Sequence, residues 1–379
     1  MKIMHTFKTV SDIRIAPGGA AKLDLFVEGL STNKRIAVVT DMGVRKLGLM
    51  DAGLEALRAA GYDVLVCDQV IPDPPDTIVL EIADGIRKFG AGLVIGFGGG
   101  SPMDTAKVAA CLAGSDQPLE TMYGVGQVKG PRLPLLLIPT TSGTGSEVTN
   151  VAILTTGKTA KKGVVSDPLY ADRVLLDAEL TLGLSASITA STGIDAMVHA
   201  IEAYTSIRLK NPISDALALT ALRKLRNNIV QAVNEPTNLD ARSEMLMGAM
   251  IAGQAFSNAP CAAVHALAYP LGGFFHVPHG LSNALVLTEV MKYNQPKADH
   301  WYGEIASDIG VGQSGSSLVD EMLRIKDETR VPQTLTEVNI PSDAIKMMAD
   351  DAMTKDRLLM NNAREMTHEA VVKIYETIL

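Results

Sequence analysis

The stretch Ala91–Lys107, AGLVIGFGGGSPMDTAK, decides the fold because it joins a strand, a glycine turn and the start of a helix. Its first part is apolar and runs directly into glycines, as a strand buried on both faces of a parallel sheet does. Three consecutive glycines let the backbone approach a ligand closely, and Ser101 can cap a helix that we predict over Met103–Ala113. Free N–H groups at the start of a helix bind phosphate. The stretch therefore predicts a phosphate or dinucleotide site.

The same alternation of apolar strands and helical patterns continues through the first half of the chain. We predict strands at Arg35–Asp41, Asp63–Asp68, Pro134–Thr141 and Arg173–Asp177, and helices at Val44–Ala60 and Asp76–Phe89. This alternation is typical of βαβ units and a mostly parallel sheet. The three glycines at positions 98–100 form what we call the glycine loop. In the Rossmann unit a strand that ends in an acid follows this loop, whereas here the strand that ends at Asp41 precedes it. Ser101 also stands where the usual Rossmann fingerprint needs a glycine. The site therefore belongs to a different α/β layout.

The second half of the chain, after about Leu184, is rich in Ala, Leu and Met and repeats its apolar residues with a period of about 3.6. We predict helices at Ser191–Ser206, Ser214–Val233, Leu239–Ala255 and Cys261–Leu271. A chain of 379 residues exceeds the usual size of a single core. We therefore expect an α/β domain over residues 1–184 and an all-α domain over residues 185–379.

Charge and cysteine content restrict the class of protein. The chain has 34 basic and 42 acidic residues, and its net charge of −8 argues against nucleic acid as a partner. Three widely spaced cysteines, Cys67, Cys111 and Cys261, fit reduced thiols in a cytoplasm. The N-terminal residues contain no apolar signal segment. The uncharged stretch Gly248–Phe275 is interrupted by Pro260, so we expect buried helices rather than a membrane span, and a cytoplasmic protein.

A second polar loop, PTTSGTGSEVTN over Pro139–Asn150, also follows a buried strand. Loops at the carboxyl ends of parallel strands form the ligand crevice, so this loop and the glycine loop can share one ligand. Its hydroxyl donors are Thr140, Thr141, Thr144, Ser146 and Thr149. Asp41, which ends its strand, can accept from both ribose hydroxyls of an adenosine and would repel a 2′-phosphate, which favours NAD over NADP. The same acid fits the N-cap of a helix equally well.

A candidate metal site begins with Asp195 and His199, which are four residues apart and share one face of a predicted helix. His265 lies in an apolar helical stretch, and His279 lies in a Pro–His–Gly loop. Three imidazoles and one carboxylate suit Fe(II) or Zn(II). His276 competes with His279 as a ligand. The other three histidines read as surface residues: His5, His300 and His368.

Four segments, in this order, carry a family resemblance: GGGSPMDTAK, PTTSGTGSEVT, GIDAMVHAIEAY and HALAYPLGGFFHVPHG. Together they resemble the iron-containing, metal-dependent alcohol dehydrogenases, and the resemblance spans nearly the whole chain. It implies an α/β nucleotide-binding domain followed by an all-helical domain, the architecture of dehydroquinate synthase-like proteins. It also implies a homo-oligomer, such as a dimer. The implied reaction is NAD-linked oxidation of a small alcohol, diol or hydroxy acid, or reduction of an aldehyde.

The resemblance also assigns residues to the cofactors. The implied metal ligands are Asp195, His199, His265 and His279. The implied contacts to the pyrophosphate of NAD come from the glycine loop and the following turn: Gly98, Gly99, Gly100, Ser101 and Asp104. Four threonines are implied to line NAD: Thr140, Thr141, Thr144 and Thr149. Asp41 matches the acid that selects NAD, and Lys162 matches a lysine near the ribose.

One position departs from the family pattern. Many relatives have a second histidine four residues after the equivalent of His265, near the nicotinamide, where it is proposed to relay a proton. This chain has Tyr269 there. A phenol can still donate or relay a proton, but its ordinary pKa is about 10 rather than about 6.5. We therefore expect Tyr269 to take the relay position, with a different pH dependence.

Other activities remain open on the sequence alone. Glycerol dehydrogenase and dehydroquinate synthase share the architecture but tend to use three protein ligands, so a fourth ligand at His279 argues against both. A hydroxyacid–oxoacid transhydrogenase would use the same residues with bound NAD cycling between its two forms. A metal-dependent hydrolase would not bind NAD. A non-catalytic nucleotide-binding protein would not need four metal ligands.

Overall fold

The computed structural model describes residues 5–157 and 160–379. The described chain divides into two compact units. The α/β unit consists of Thr9–Thr141 and Gly145–Leu182, and the helical unit consists of Gly183–Leu379 with residues 5–8 and Ser142–Thr144. The prediction from the sequence instead ends the first domain at Leu184 and includes residues 5–8 and Ser142–Thr144 in it.

Six strands form the central sheet of the α/β unit, and every strand pair in it is parallel. The predicted parallel sheet is thus confirmed, and every residue of the strand that ends in the glycine loop is buried. The strands are β1 (Ile13–Ile15), β2 (Arg35–Asp41), β3 (Asp63–Val70), β4 (Leu93–Gly98), β6 (Leu135–Pro139) and β9 (Arg173–Leu176). Their order in the sheet is β1-β9-β6-β4-β2-β3.

The sheet register positions the two loops singled out in the sequence. Strand β4 pairs with β6 so that Gly98 lies opposite Pro139, and β4 pairs with β2 so that Gly96 lies opposite Val39. The glycine loop therefore starts between the ends of β2 and β6. Asp41 ends one neighbouring strand, and Thr140 follows the other.

A second, smaller sheet was not predicted from the sequence. It consists of β5 (Gly124–Val125), β7 (Val151–Thr156) and β8 (Ala160–Val165), with β7 and β8 antiparallel. Ala152 and Leu154 are buried on β7, whereas the other residues of this strand are half-buried. This alternation is typical of a strand with one covered face, but Lys161 and Lys162 on β8 interrupt the apolar pattern of its partner strand.

Five α-helices lie in the described part of the α/β unit, and one helix prediction is wrong here. The pattern over Val44–Ala60 is two short helices rather than one, because Gly48 adopts a left-handed conformation with φ 67° and ends the first. The predicted helix over Asp76–Phe89 is confirmed. The helices are α1 (Leu23–Val27), α2 (Met42–Lys46), α3 (Asp51–Ala59), α4 (Asp76–Phe89) and α5 (Gly100–Gly114).

The helical unit is built around α6 (Ala186–Thr205). This helix packs against α7 (Pro212–Asn234), α8 (Leu239–Asn258) and α10 (His279–Asp308). Ser185 caps α6 by accepting from the Ile188 N–H, so this helix starts five residues before its predicted start at Ser191. The prediction of helices throughout this half is confirmed. The helices are α6 (Ala186–Thr205), α7 (Pro212–Asn234), α8 (Leu239–Asn258), α9 (Ala263–Phe275), α10 (His279–Asp308), α11 (Gly315–Glu328), α12 (Ile345–Ala352), α13 (Asp356–Leu359) and α14 (His368–Thr377).

Two findings concern the apolar segments and the cysteines. Within residues 5–157 and 160–379, no helix is both long and apolar enough to cross a membrane. Gly248–Phe275, the stretch that raised the question, forms the end of α8 and the whole of α9. Cys67, Cys111 and Cys261 are buried free thiols.

Candidate functional site

The four predicted metal ligands come together in the helical unit. Asp195 and His199 lie one turn apart on α6, His265 lies in the first turn of α9, and His279 is the first residue of α10. One ligand atom from each lies within 4.8 Å of all the others. Asp195, His199 and His265 are buried, whereas the His279 side chain is 34% exposed. The cluster is therefore open to solvent on the His279 side.

The ligand atoms converge on one small volume. Nε2 of His199 lies 3.0 Å from Nε2 of His265. Oδ1 of Asp195 lies 4.0 Å from each of these two nitrogens and 3.7 Å from Nε2 of His279. Three imidazole nitrogens and one carboxylate oxygen form a donor set that suits a divalent first-row metal, so these residues fit the metal that the sequence predicted.

The start of α10 brings His279 to α6 because Gly280 follows it. A Cβ atom on Gly280 would overlap the carbonyl oxygen of Ser191 and would lie 3.3 Å from Cβ of Asp195. Only glycine permits this close approach of the two helices. His276, the alternative ligand, is exposed at the end of α9 with φ 56° and is not part of the cluster.

Burial and mutual charge shape the protonation of the cluster. Burial opposes ionisation of Asp195, but His199, His279 and His265 and a hydrogen bond from Asn283 outweigh it and lower its pKa. Burial lowers the pKa of His199 to about 3, so this ring is neutral and offers a lone pair. Burial also opposes protonation of His265, yet Cys261 and Glu202 hold its pKa well above the ordinary value.

Two polar residues beside the ligands were missed in the sequence. Nδ2 of Asn283 donates to Oδ1 of Asp195 at 2.6 Å and lies 3.3 Å from Nε2 of His265. Its Oδ1 is buried without a hydrogen-bond partner. Glu202 accepts a hydrogen bond from Nδ1 of His265 at 2.6 Å.

Both missed residues had a weak signal in the sequence. Glu202 follows His199 by three residues and Asn283 follows His279 by four, so each shares a helix face with a ligand. An isolated polar residue at such a spacing is common on any helix, and only the fold identifies its partner.

Aromatic rings border the cluster. Phe256 stacks on His199 with ring centroids 4.3 Å apart. The Tyr269 ring centroid lies 6.3 Å from that of His279. The fold thus brings the predicted relay residue next to the exposed ligand.

The predicted nucleotide residues lie at the carboxyl end of the large sheet. Helix α5 begins at Gly100 with Gly99 as its N-cap and without a side-chain cap, so the prediction that Ser101 caps the helix is wrong. Ser101 is instead the second helical residue. The Thr140 N–H donates to the Gly98 carbonyl oxygen at 3.0 Å. Thr141 Oγ1 lies 3.6 Å from the position that a Cβ on Gly99 would take, so both threonines border the glycine loop.

Asp41 caps a helix, one of the two roles that the sequence allowed, and it also lies beside the glycine loop. Its Oδ1 accepts from the Val44 N–H at 3.0 Å and caps α2. Its Oδ2 lies 3.4 Å from the position that a Cβ on Gly98 would take. The carboxylate therefore lies beside the glycine loop while one of its oxygens holds a helix start.

Asp104 and Thr149 belong to a buried polar network around Lys107, which the sequence analysis missed. The Lys107 side chain is fully buried and donates to Ser146 Oγ at 2.8 Å, Thr149 Oγ1 at 3.1 Å and the Val151 carbonyl oxygen at 2.8 Å. Ser146 Oγ donates to Asp104 at 2.6 Å. These hydrogen bonds connect the first two turns of α5 to the polar loop Pro139–Asn150.

The two remaining predicted residues lie on other elements. Lys162 is part of strand β8, and its Nζ lies 5.5 Å from the ring centroid of Tyr123. Thr144 lies in Ser142–Thr144, the short segment that belongs to the helical unit.

Comparison with known proteins gives one consistent family. Residues 11–178 match the family profile described as iron-containing alcohol dehydrogenase. Residues 189–379 match the profile of the Fe-containing alcohol dehydrogenase family, C-terminal. Long-chain-alcohol dehydrogenase 1 of Geobacillus thermodenitrificans is 40% identical over 357 residues, which cover 90% of this chain and 89% of that protein.

Solved structures give the same family. The crystal structure of a 1,3-propanediol oxidoreductase superposes with a TM-score of 0.94 at 32% identity, over 100% of both chains. The sulfoacetaldehyde reductase from Bifidobacterium kashiwanohense, solved in complex with NAD+, superposes with a TM-score of 0.88 at 30% identity, over 99% of both chains. With both halves of the family profile matched and the ligand cluster assembled, the chain belongs to the iron-containing alcohol dehydrogenase family and is an enzyme of the alcohol dehydrogenase class.

Proposed function

We propose that this protein is a metal-dependent, NAD(H)-linked dehydrogenase that oxidises a small alcohol, diol or hydroxy acid and reduces the corresponding carbonyl compound. The observation that carries the proposal is the convergence of Asp195, His199, His265 and His279 within 4.8 Å, with one ligand partly exposed. Fe(II) is the metal we propose first, and Zn(II) is the alternative, because imidazole and carboxylate ligands accept both.

The bound cofactors and the protein divide the chemistry. When bound, the divalent metal supplies Lewis acidity toward a substrate oxygen, and NAD accepts or returns the hydride. The protein holds the metal with four side chains. The stacked Phe256 excludes water beside His199 and favours a small substrate of modest polarity. Tyr269, beside the exposed His279, is positioned to pass the hydroxyl proton toward solvent.

For NAD we propose a site at the glycine loop. The first turn of α5 carries free N–H groups and the positive end of the helix dipole, which together favour a pyrophosphate. Asp41 accepts from the ribose hydroxyls through Oδ2, since Oδ1 is engaged with Val44. The remaining predicted contacts stay part of the proposal: Gly98, Gly99, Gly100, Ser101, Asp104, Thr140, Thr141, Thr144, Thr149 and Lys162.

A steady-state substrate panel tests this function. The purified protein is loaded with Fe(II) without oxygen, supplied with NAD, and offered short alcohols, diols and 2-hydroxy acids while NADH absorbance is recorded. We expect NADH to form with at least one of these classes. If NAD binds but no NADH forms with any of these substrates, the proposed dehydrogenase activity is wrong. A transhydrogenase whose bound NAD cycles between its two forms would then explain the site better.

A further inference from the structure

Glu202 is a buried carboxylate that the proposed reaction does not yet use. It lies on α6, one turn beyond His199, and is 4% exposed. Three N–H donors point at its two oxygens. Oε2 accepts from the Ala262 N–H at 2.9 Å and from Nδ1 of His265 at 2.6 Å, and Oε1 accepts from the Val264 N–H at 2.7 Å.

We propose that Glu202 is a positioning residue that aims Nε2 of His265 at the metal site, an inference that rests on the proposed metal-dependent function. A neutral imidazole carries one proton, and a carboxylate at Nδ1 fixes that proton there. The lone pair on Nε2 then points away from Glu202, toward the other ligands. In this structure Nε2 of His265 indeed lies 3.0 Å from Nε2 of His199. A carboxylate at the far nitrogen also makes the imidazole a stronger ligand.

The same carboxylate fixes the backbone that carries His265. Helix α9 starts at Ala263, and its N-cap Ala262 offers no side-chain cap. Glu202 supplies the cap from another helix, because it accepts from two of the N–H groups that begin α9. Its negative charge also lies at the favourable end of the helix dipole. One side chain therefore contacts both the ring of His265 and the backbone that carries it.

A different role for this group would be a separate cation site. Glu202, Cys261 and His265 offer ligand atoms that lie within 4.8 Å of one another. A cation held by all three groups would have to replace the Nδ1 proton of His265 and compete for a carboxylate whose oxygens already accept from two backbone N–H groups. Unpaired buried N–H groups are costly, so the hydrogen-bonding role is favoured.

The test is a metal-affinity measurement that does not depend on catalysis. Metal-free protein is titrated with Co(II) against a competing chelator, and binding is followed by the visible absorption of the protein-bound ion. We expect Glu202→Gln to weaken Co(II) binding by about 10–100-fold. Its Co(II) spectrum should also change, because His265 is no longer held in one orientation.

Asn361→Ala is the matched control. Nδ2 of Asn361 donates to the Cys261 carbonyl oxygen at 2.9 Å, so it anchors the same segment without contacting His265. We expect it to lower the melting temperature of the metal-free protein and to leave Co(II) affinity and spectrum unchanged. If Glu202→Gln does not fold, Glu202→Asp takes its place, since it retains the charge but draws the carboxylate back by one methylene and should also weaken binding.

Three results would count against the inference. Wild-type affinity in the Glu202 variant would overturn it directly. Equal losses of affinity in the Glu202 and Asn361 variants would also overturn it, because they would trace the effect to packing of the segment. If the wild-type protein itself bound no Co(II), Fe(II) or Zn(II), the proposed function would fail first, and this inference would fail with it.

Discussion

At the scale of single residues, His279 and His276 provide a test of the ligand assignment. They are three residues apart, yet Nε2 of His279 lies 3.7 Å from Oδ1 of Asp195 while His276 is exposed. We expect His279→Ala to lower kcat/KM by about 100-fold or more, since it removes one of four metal ligands. The matched variant is His276→Asn, because asparagine tolerates the left-handed backbone at that position. It should retain wild-type kcat/KM and bound iron, and equal losses in both variants would refute the assignment.

Asp41 determines cofactor choice in this account. The substitution Asp41→Asn preserves a side-chain oxygen that can cap α2, but it removes the negative charge beside the glycine loop. We expect kcat/KM with NAD to fall about 10-fold or more, because hydrogen bonds to a charged group are lost, and turnover with NADP to rise. The measurement is kcat/KM with each cofactor. An unchanged ratio of the two values would show that Asp41 serves only as a helix cap.

At the scale of elements, the junction of α10 and α6 should be intolerant of a single methyl group. Gly280→Ala would force its new Cβ into the Ser191 carbonyl oxygen and against Asp195. We expect it to lower the free energy of unfolding by about 1–3 kcal/mol and to reduce the iron retained per chain. Both quantities can be measured, by denaturant unfolding and by metal analysis.

Gly85→Ala is the matched substitution. Gly85 lies inside α4, and a Cβ there would meet open space. Alanine is the better helix former, so we expect a gain of about 0.5–1 kcal/mol with no change in iron content. Similar effects of the two substitutions would mean that the close helix approach does not hold His279 in place.

The sequence predicted elements well where the pattern was long and regular. Arg35–Asp41 and Asp76–Phe89 have the predicted bounds, because continuous apolar burial and a clear helical period identify them. The hairpin β7–β8 was missed because Lys161 and Lys162 interrupt the apolar pattern on β8. The break at Gly48 was missed because helical periodicity continues across it. Local signals of this kind do not report which face a segment buries.

Some residues of the candidate site were predicted from the sequence and others were missed, as with the helices and strands. The motifs were sufficient to predict the four candidate metal ligands, which the fold brings together, and the glycine loop at the start of α5. Glu202, Asn283 and Lys107 were not identified, because each matters through a partner that is distant in sequence. The sequence gives the residue type, whereas the hydrogen bond depends on how helices pack.

At the scale of the whole molecule, stability should depend on pH through Glu147. Burial raises its pKa from 4.5 to about 7 in the folded protein. Because the folded state holds this proton more tightly, the stabilisation is fully present below pH 4.5 and is lost as pH rises from there toward 7. The difference between a pKa of 4.5 and one of about 7 corresponds to a loss of about 3 kcal/mol.

Glu147→Gln tests this dependence because an amide does not titrate. We expect unfolding experiments at pH 5 and pH 8 to show a smaller decrease in stability for the variant than for the wild type. At pH 8 the variant should be the more stable of the two. Parallel pH profiles for both proteins would mean that Glu147 is not buried in its charged form at high pH.

The central claim is that activity requires a metal held by Asp195, His199, His265 and His279. The most direct measurement is a titration of chelator-treated, metal-free protein with Fe(II) in the absence of oxygen, with NADH formation recorded at each addition. We expect no activity at the start, a linear rise and a plateau at one iron per chain, with no rise in His265→Ala. Full activity in protein that contains no metal would contradict it.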